Sequence, residues 1–320
     1  MMPQSEPCRA TIVIPTFRRP KMLESALLSC LAQEPGSLAG CDILVVDNAP
    51  EASARAAVEA RAGQAAVPVR YLHVAVPGIA RARNAGVAAA QGKFVVFLDD
   101  DQEAASSHWL GAFLGLAERG AKAAFGPIQP AFDARGDGVP PGAARMFRRE
   151  LSADDGDDIS RLRAFLGSGN SVFEKASCFN SATPFPTELD GLGGEDSEFI
   201  AGLAARGIPL TWAAKALVRE HVPSDRMTLK SLAQRSFRNG QIRSLIQSRS
   251  KEGSAAKVAL WMGVGMGQAA LYGAGSLAMA ALDPKVSADL RIRAWGGVGK
   301  VLWTRRFWQI SYPAGAAAKT

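Results

Sequence analysis

The chain has 320 residues, 48% of them hydrophobic and 21% charged, with a formal net charge of +7 at pH 7. That balance excludes a disordered chain, and 32 Gly with 18 Pro in no Gly-X-Y period exclude collagen-like and low-complexity readings. The charge is uneven: residues 1–220 hold 22 Lys/Arg against 26 Asp/Glu, whereas residues 221–320 hold 15 against 4, so the C-terminal part is expected to face something anionic.

The opening MMPQSEPCRA lacks the basic and apolar regions of a secretory leader, which points to a cytoplasmic start. Four scattered cysteines, Cys8, Cys30, Cys41 and Cys178, form no CxxC pair, so neither a disulfide framework nor a thiolate zinc site is expected. Apolar runs at 11–15 (TIVIP), 42–47 (DILVVD), 69–74 (VRYLHV) and 93–99 (KFVVFLD) are short and β-branched, as strands buried on both faces are. Helical patterns at 20–33, 51–62 and 79–91 separate them, predicting an α/β fold with a parallel sheet and right-handed crossovers. A further helix is expected at 107–119. Residues 131–161, rich in Gly, Pro and charge, read as a long irregular insertion and a candidate flap. The run PLTWAAKALVREHV reads as strand.

Beyond Pro223 the composition changes. Residues 227–250 read as a basic helix, and 258–282 carry no charge at all. As a helix that run would be ~37 Å long, enough for a bilayer core. Its Ala and Gly content is only moderately apolar, and a single crossing would put the basic segment 291–306 on the wrong side. A re-entrant hairpin or in-plane association is therefore expected, with Arg291, Arg293, Lys300, Arg305 and Arg306 among Trp295, Trp303, Phe307 and Trp308 at the interface. Lipid fits the uncharged run better than nucleic acid does.

In open α/β sheets ligands bind beyond the carboxyl ends of the strands. There lie Thr16, Asp47 and the triplet Asp99, Asp100, Asp101. An isolated Asp triplet also reads as a solvated turn, but its place after the fourth buried strand favours a site for a hard divalent cation with phosphate oxygens. Glu195 and Asp196 follow GLGG and open a helix, whose N-terminus favours a carboxylate anion suited to act as a base; simple capping is the alternative. His221, after a strand-like run, could complete a metal shell or be structural. His73 and His108 read as structural. GVGMG at 263–267 has no preceding strand and reads as small residues for close helix packing. The acids at 154, 155, 157 and 158 lack the glutamate of a calcium loop at the required spacing and read as a solvated charge run.

The segments TIVIPTFRRPKMLESALLSCLAQ, DILVVDN, PGIARARNAGVAAAQGKFVVFLDDD, GSGN, GLGGEDSEF and EHVPSDRMTL, in this order over about residues 10–240, resemble the family 2 glycosyltransferases. These are inverting enzymes of GT-A fold, and the similarity is strongest to the bacterial branch with succinoglycan-type exopolysaccharide glucosyltransferases. The resemblance implies a catalytic domain over 1–226 and a membrane-associated helical region over 227–320. It places Pro15, Thr16 and Asp47 at the nucleotide base, and Arg81 and Asn84 on a donor-facing helix. Asp99 and Asp100 fall to the ribose and donor, Asp101 with Asp99 and His221 to a Mn²⁺ or Mg²⁺ ion. Asp196 falls to the catalytic base with Glu195 beside it. Phe17-Arg18 departs from the Tyr-Asn of many relatives. The implied partners are a nucleotide-sugar, a glycan or polyprenyl-linked acceptor, and the inner face of the cell membrane.

Two rival readings stand beside this one. A sugar-1-phosphate nucleotidyltransferase would need glycines in IPTFRRPK, which has only the charges. A non-catalytic membrane scaffold would have no reason to keep Asp99, Asp101, Asp196 and His221.

Overall fold

The computed structural model describes residues 8–133, 142–249 and 254–308. The alternation of the first hundred residues appears as β1 (Ala10–Thr16), α1 (Pro20–Leu31), a short α2 (Pro35–Leu38), β2 (Cys41–Asp47), α3 (Arg55–Ala62), β3 (Val69–His73), α4 (Ile79–Ala89) and β4 (Phe94–Phe97). The four strands are parallel, with β1 between β2 and β4, Thr16 level with Asp47 and Val13 with Phe97. β1, β2 and β4 are buried along their whole length, as their unbroken apolar runs require. β3 is only half-buried, because it is the edge strand.

The chain continues through β5 (Gln102–Ala104), α5 (Trp109–Glu118), β6 (Ala123–Phe125), β7 (Ile128–Phe132), α6 (Ala143–Phe147), β8 (Ser171–Glu174), α7 (Lys175–Cys178), α8 (Glu195–Ala205), β9 (Leu210–Trp212) and β10 (Val218–Val222). The main sheet has the order β3-β2-β1-β4-β8-β6-β9, and a small sheet has the order β5-β10-β7. β8 is antiparallel to both β4 and β6, so the sheet is mixed rather than wholly parallel. After β6 the chain leaves for the small sheet beyond the strand ends and re-enters from that side, which reverses β8. PLTWAAKALVREHV, expected as one strand, divides at residues 213–217 into β9 of the main sheet and β10 of the small one.

The period of two along β1 splits the core. Ile12 and Ile14 join Val45, Phe94 and Trp109 on one face, while Val13 joins Val46, Phe97 and Phe173 on the other. Part of the expected insertion is anchored: Arg149 bridges to Ile128 and Asp158 to Thr211. Residues 134–141 of it lie outside the described residues.

Three helices complete the chain: α9 (Leu229–Arg249), α10 (Ala255–Met279) and α11 (Pro284–Val301). Ser254 caps α10, and Asp283 followed by Pro284 caps α11. The uncharged run is thus one helix down to Met279, and the hairpin is made with α11 instead of within the run. Glycines let the helices touch at the backbone. A Cβ on Gly240 of α9 would collide with the Gly296 carbonyl of α11, and one on Gly265, inside GVGMG, would lie 2.6 Å from the Gly297 carbonyl. Leu232 and Met227 share a small core with Val222, Phe147 and Ile292, so packing is continuous across residue 226. The outer side of α10 bears Leu260, Leu271 and Leu277, 66%, 69% and 80% exposed. Among the described residues no helix is long and apolar enough to cross a membrane.

Candidate active site

β4 delivers three consecutive aspartates to the strand ends, where they meet arginines. Asp100 is buried, accepting from Thr16 Oγ1 at 2.9 Å and from Arg19 Nη1 at 3.1 Å. Asp101 Oδ2 accepts from Arg19 and from Arg226 at 3.1 and 3.2 Å. Burial pushes the Asp100 carboxyl up to about 6 against the pull of Arg19. Burial, and then Asp99, also raise Asp101. Asp99 Oδ1 lies 3.3 Å from Arg83 Nη2.

Arg83 joins this turn to the second acidic motif. Its other terminal nitrogen, Nη1, donates to Glu195 Oε1 at 2.6 Å, and the guanidinium is buried. Burial alone would weaken its hold on the proton, but Asp99, Glu195 and Asp196 outweigh that and raise its pKa. Burial, and then Asp196, push Glu195 up to about 7 in spite of Arg83. Glu195 and Asp196 are the first two residues of α8, and Asp196 accepts from Ser197 N at 2.7 Å and Ser168 N at 3.3 Å.

GSGN, residues 167–170, has a steric role here. A Cβ on Gly167 would lie 2.9 Å from Asp196 Oδ2, and one on Gly169 would collide with Asp99 Oδ2. The loop is held by Arg149, which donates to the carbonyls of Gly126, Gly167, Gly169 and Asn170 at 2.6–2.8 Å. Burial lowers the Arg149 guanidinium to about 10. Asn170 completes the frame, accepting from Trp109 Nε1 and donating to the Pro127 and Ala216 carbonyls, all at 2.8 Å.

These groups open on a cavity of about 1500 Å³ lined by Pro15, all three aspartates, Glu195 and Asp196. The expected residues Thr16, Asp47, Arg81, Asn84 and His221 are not among its lining. Thr16 lies beneath, supporting Asp100. Asp47 is buried and accepts from Ala49 N, Ala54 N and Tyr71 Oη at 2.7–3.0 Å, fixing the loop after β2. Arg81 is 3.3 Å from Asp190. Both amide atoms of Asn84 are taken by the Phe185 backbone at 2.8–2.9 Å.

His221 is not brought to the acids. Its Nε2 lies 3.3 Å from Asp133 Oδ1, and only its backbone N–H reaches the Asp101 carbonyl, at 2.7 Å. The strand period explains this: Val218, Glu220 and Val222 share one face of β10, so Glu220 lines the cavity in the place expected of His221. Burial, and then Asp101, push Glu220 up to about 7.

The model of the glycosyl transferase family 2 matches residues 11–170. The succinoglycan biosynthesis protein ExoM of Rhizobium meliloti (strain 1021) is 31% identical over 257 residues, 78% of either chain. The chain belongs to glycosyl transferase family 2. In fold the transferase is similar to the mannosyltransferase PcManGT of Pyrobaculum calidifontis, solved in complex with GDP-Man and Mn²⁺, at TM-score 0.61 and 16% identity over 92% of this chain and 87% of that one. It is likewise similar to TarS 1–349 of S. aureus, solved in complex with UDP, at TM-score 0.53 and 17% identity over 92% and 89%. The mixed, mostly parallel sheet is that of GT-A transferases.

The donor chemistry suits a hard cation, since Asp99, Asp101 and Glu220 are all carboxylates, with Asp99 raising the Asp101 carboxyl and both aspartates raising Glu220. Among the described residues no group of three is already set at ligand spacing; Arg19 and Arg226 hold Asp101 instead. The reading of the sequence missed four arginines and one acid of this family 2 site. Arg83 carried a signal: it falls on the buried stripe of α4 with Ala80, Asn84 and Val87, an odd place for a charge. Glu220 carried one in the alternation of β10. Arg149, Arg19 and Arg226 carried none, because their partners are distant backbone carbonyls and aspartates.

Proposed function

We propose that the transferase moves a sugar, with inversion, from a UDP-sugar to a hydroxyl of a lipid-linked glycan in exopolysaccharide or cell-envelope synthesis. The observation that carries this reading is Arg83, whose single guanidinium ties Glu195 to Asp99. Two acidic motifs far apart in the chain thereby share one cavity. The ligands of PcManGT and TarS support a nucleoside-diphosphate donor, and the likeness to ExoM supports the polymer class.

Asp99 and Asp101, with Glu220 beside them, would hold Mn²⁺ or Mg²⁺, which when bound offsets charge gathering on the leaving diphosphate. Asp196 takes the proton of the acceptor hydroxyl as it attacks from the opposite face of the sugar. Glu195, fixed by Arg83, keeps the start of α8 in place. Pro15 forms the floor on the base side, and Thr16 and Asp47 shape that side through Asp100 and the loop after β2. Arg81 and Asn84 set the height of α4 beside the nucleotide. His221 acts through its backbone bond to the Asp101 carbonyl. The outer face of α10 would rest on the cytoplasmic leaflet together with the exposed Arg291, Arg293, Arg305 and Arg306, each basic residue near anionic lipid contributing about 1 kcal/mol.

Titration of UDP with and without Mn²⁺, followed by thermal shift, tests the reading. Saturating UDP at 100 times its Kd should stabilise the chain by about 2.7 kcal/mol, and only with the cation present. No response to any nucleoside diphosphate would overturn it.

A further inference from the structure

The two ends of the cavity differ in how their charges are met. At the acidic end Arg19, Arg83 and Arg226 each have a carboxylate within 3.3 Å, and Arg149 is held by four backbone carbonyls. On the α9 wall Arg243 makes no hydrogen bond or ion pair among the described residues. Its guanidinium sits 5.4 Å from the centre of the Trp261 ring of α10, and both residues line the cavity. Arg235, two turns earlier, stands 4.4 Å from the centre of the Phe147 ring, and its buried Nε has no partner. Arg161 and Arg163, on the segment before GSGN, line the same cavity, and neither has a carboxylate at ion-pair distance among the described residues. Burial lowers the pKa of both Arg235 and Arg243, with Glu220 partly compensating for the first and no carboxylate for the second. A half-buried guanidinium without an anion costs free energy that a ligand anion would recover.

We propose that Arg235 and Arg243, with Arg161 and Arg163 facing the same space, form a second anion subsite that takes a phosphate or diphosphate carried by the acceptor. Guanidinium forks match phosphate oxygens in geometry as well as charge. The apolar part of such an acceptor has a track beside the subsite. From Trp261, the exposed Leu260, Val264 and Leu271 run along one stripe of α10. The ligand class that satisfies both features is the diphosphate ester of a long apolar alcohol. This assignment rests on the cavity being the transfer site, and it gives the acceptor half its chemistry.

The full chain, saturated with UDP and Mn²⁺, is titrated with farnesyl diphosphate, with tryptophan fluorescence and calorimetry as readouts. Inorganic pyrophosphate, farnesol and phosphatidylglycerol vesicles are titrated separately. Farnesyl diphosphate is expected to bind alongside UDP, pyrophosphate more weakly and farnesol not at all. Arg243→Gln should weaken farnesyl diphosphate roughly tenfold or more while leaving UDP affinity unchanged, and Arg235→Gln, whose guanidinium also faces Glu220 and Asp101, should weaken farnesyl diphosphate likewise. Arg243→Lys, which keeps the charge, should retain most of the binding and controls for folding. Equal affinity in Arg243→Gln would overturn the subsite, and so would displacement by UDP, which would hand these arginines to the donor. Vesicle binding that needs Arg243 while farnesyl diphosphate fails would overturn it in favour of a lipid headgroup site. If farnesyl diphosphate binds but no nucleoside diphosphate does, the subsite stands and the transfer reading falls; the reverse sinks only the subsite.

Discussion

The strand-end wall of the cavity and its helical wall are built on opposite electrostatic plans. At the strand ends, carboxylates and guanidinia are matched inside the protein: Arg83 spans Asp99 and Glu195, and Arg19 spans Asp100 and Asp101. On the helical wall, Arg235 and Arg243 of α9 stand over aromatic rings, with no carboxylate at ion-pair distance among the described residues. The first plan fixes geometry before a ligand arrives, as transfer of a sugar at a defined angle demands. The second leaves charge unspent, as recognition of an anion demands. The difference predicts that substitutions at the strand ends act on turnover or on the framework, while those on α9 act on acceptor affinity.

Asp196→Asn tests the strand-end plan where the effect should be greatest. With Asp196 as the proposed general base, its loss should lower kcat by roughly 10²- to 10⁴-fold. Because the Asp196 carboxylate bonds Ser168 and Ser197 and no residue of the 99–101 turn, UDP affinity should be unchanged, and a steady-state assay beside a UDP titration separates the two. Normal turnover by the variant would move the base elsewhere. Arg149→Met probes the framework under the same wall. Four carbonyls lose their donor and a buried cation is replaced, so stability should fall by about 3–5 kcal/mol, read as a lower denaturant midpoint. A small shift would mean that the GSGN loop is held by Asn170 alone.

Much of the strand-end wall was legible in the sequence because it is written in local patterns. The four parallel strands follow from short apolar runs between helical stripes, and the aspartates stand where such a run stops. Asp196 is legible as a helix-opening acid after glycines. The helical wall was not legible in the same way. A basic helix over 227–250 reads equally as a membrane-facing tail, and nothing in its own periodicity tells that one side closes a cavity built by β4 and α8. The same limit applied to β8, whose antiparallel entry depends on where the chain goes after β6, and to Arg149, whose four acceptors lie 18 to 23 residues away. His221 shows the complementary error: a residue type suited to metal binding outweighed the strand alternation that turns Glu220, its neighbour, inward.

The smallest of the effects concerns the proton held at Glu195. Asp196 and Asp190 face this carboxyl from the acidic side and Arg83 from the other; burial dominates and raises its pKa from 4.5 to about 7. In the unfolded chain the group loses its proton near the lower value, and in the folded chain near the higher one. Folding is therefore favoured by the retained proton below pH 4.5, and that contribution is lost as pH rises through 7. Asp100 and Glu220, raised to about 6 and about 7, act in the same direction, so the wild-type curve alone cannot isolate Glu195. Glu195→Gln, neutral at every pH, does so by difference. Its melting temperature should approach that of the wild type at low pH and exceed it increasingly between pH 5 and 8. Parallel curves would show that Arg83 already holds Glu195 as an anion, and the strand-end wall would then be fully charge-matched at neutral pH, sharpening its contrast with the arginines of α9.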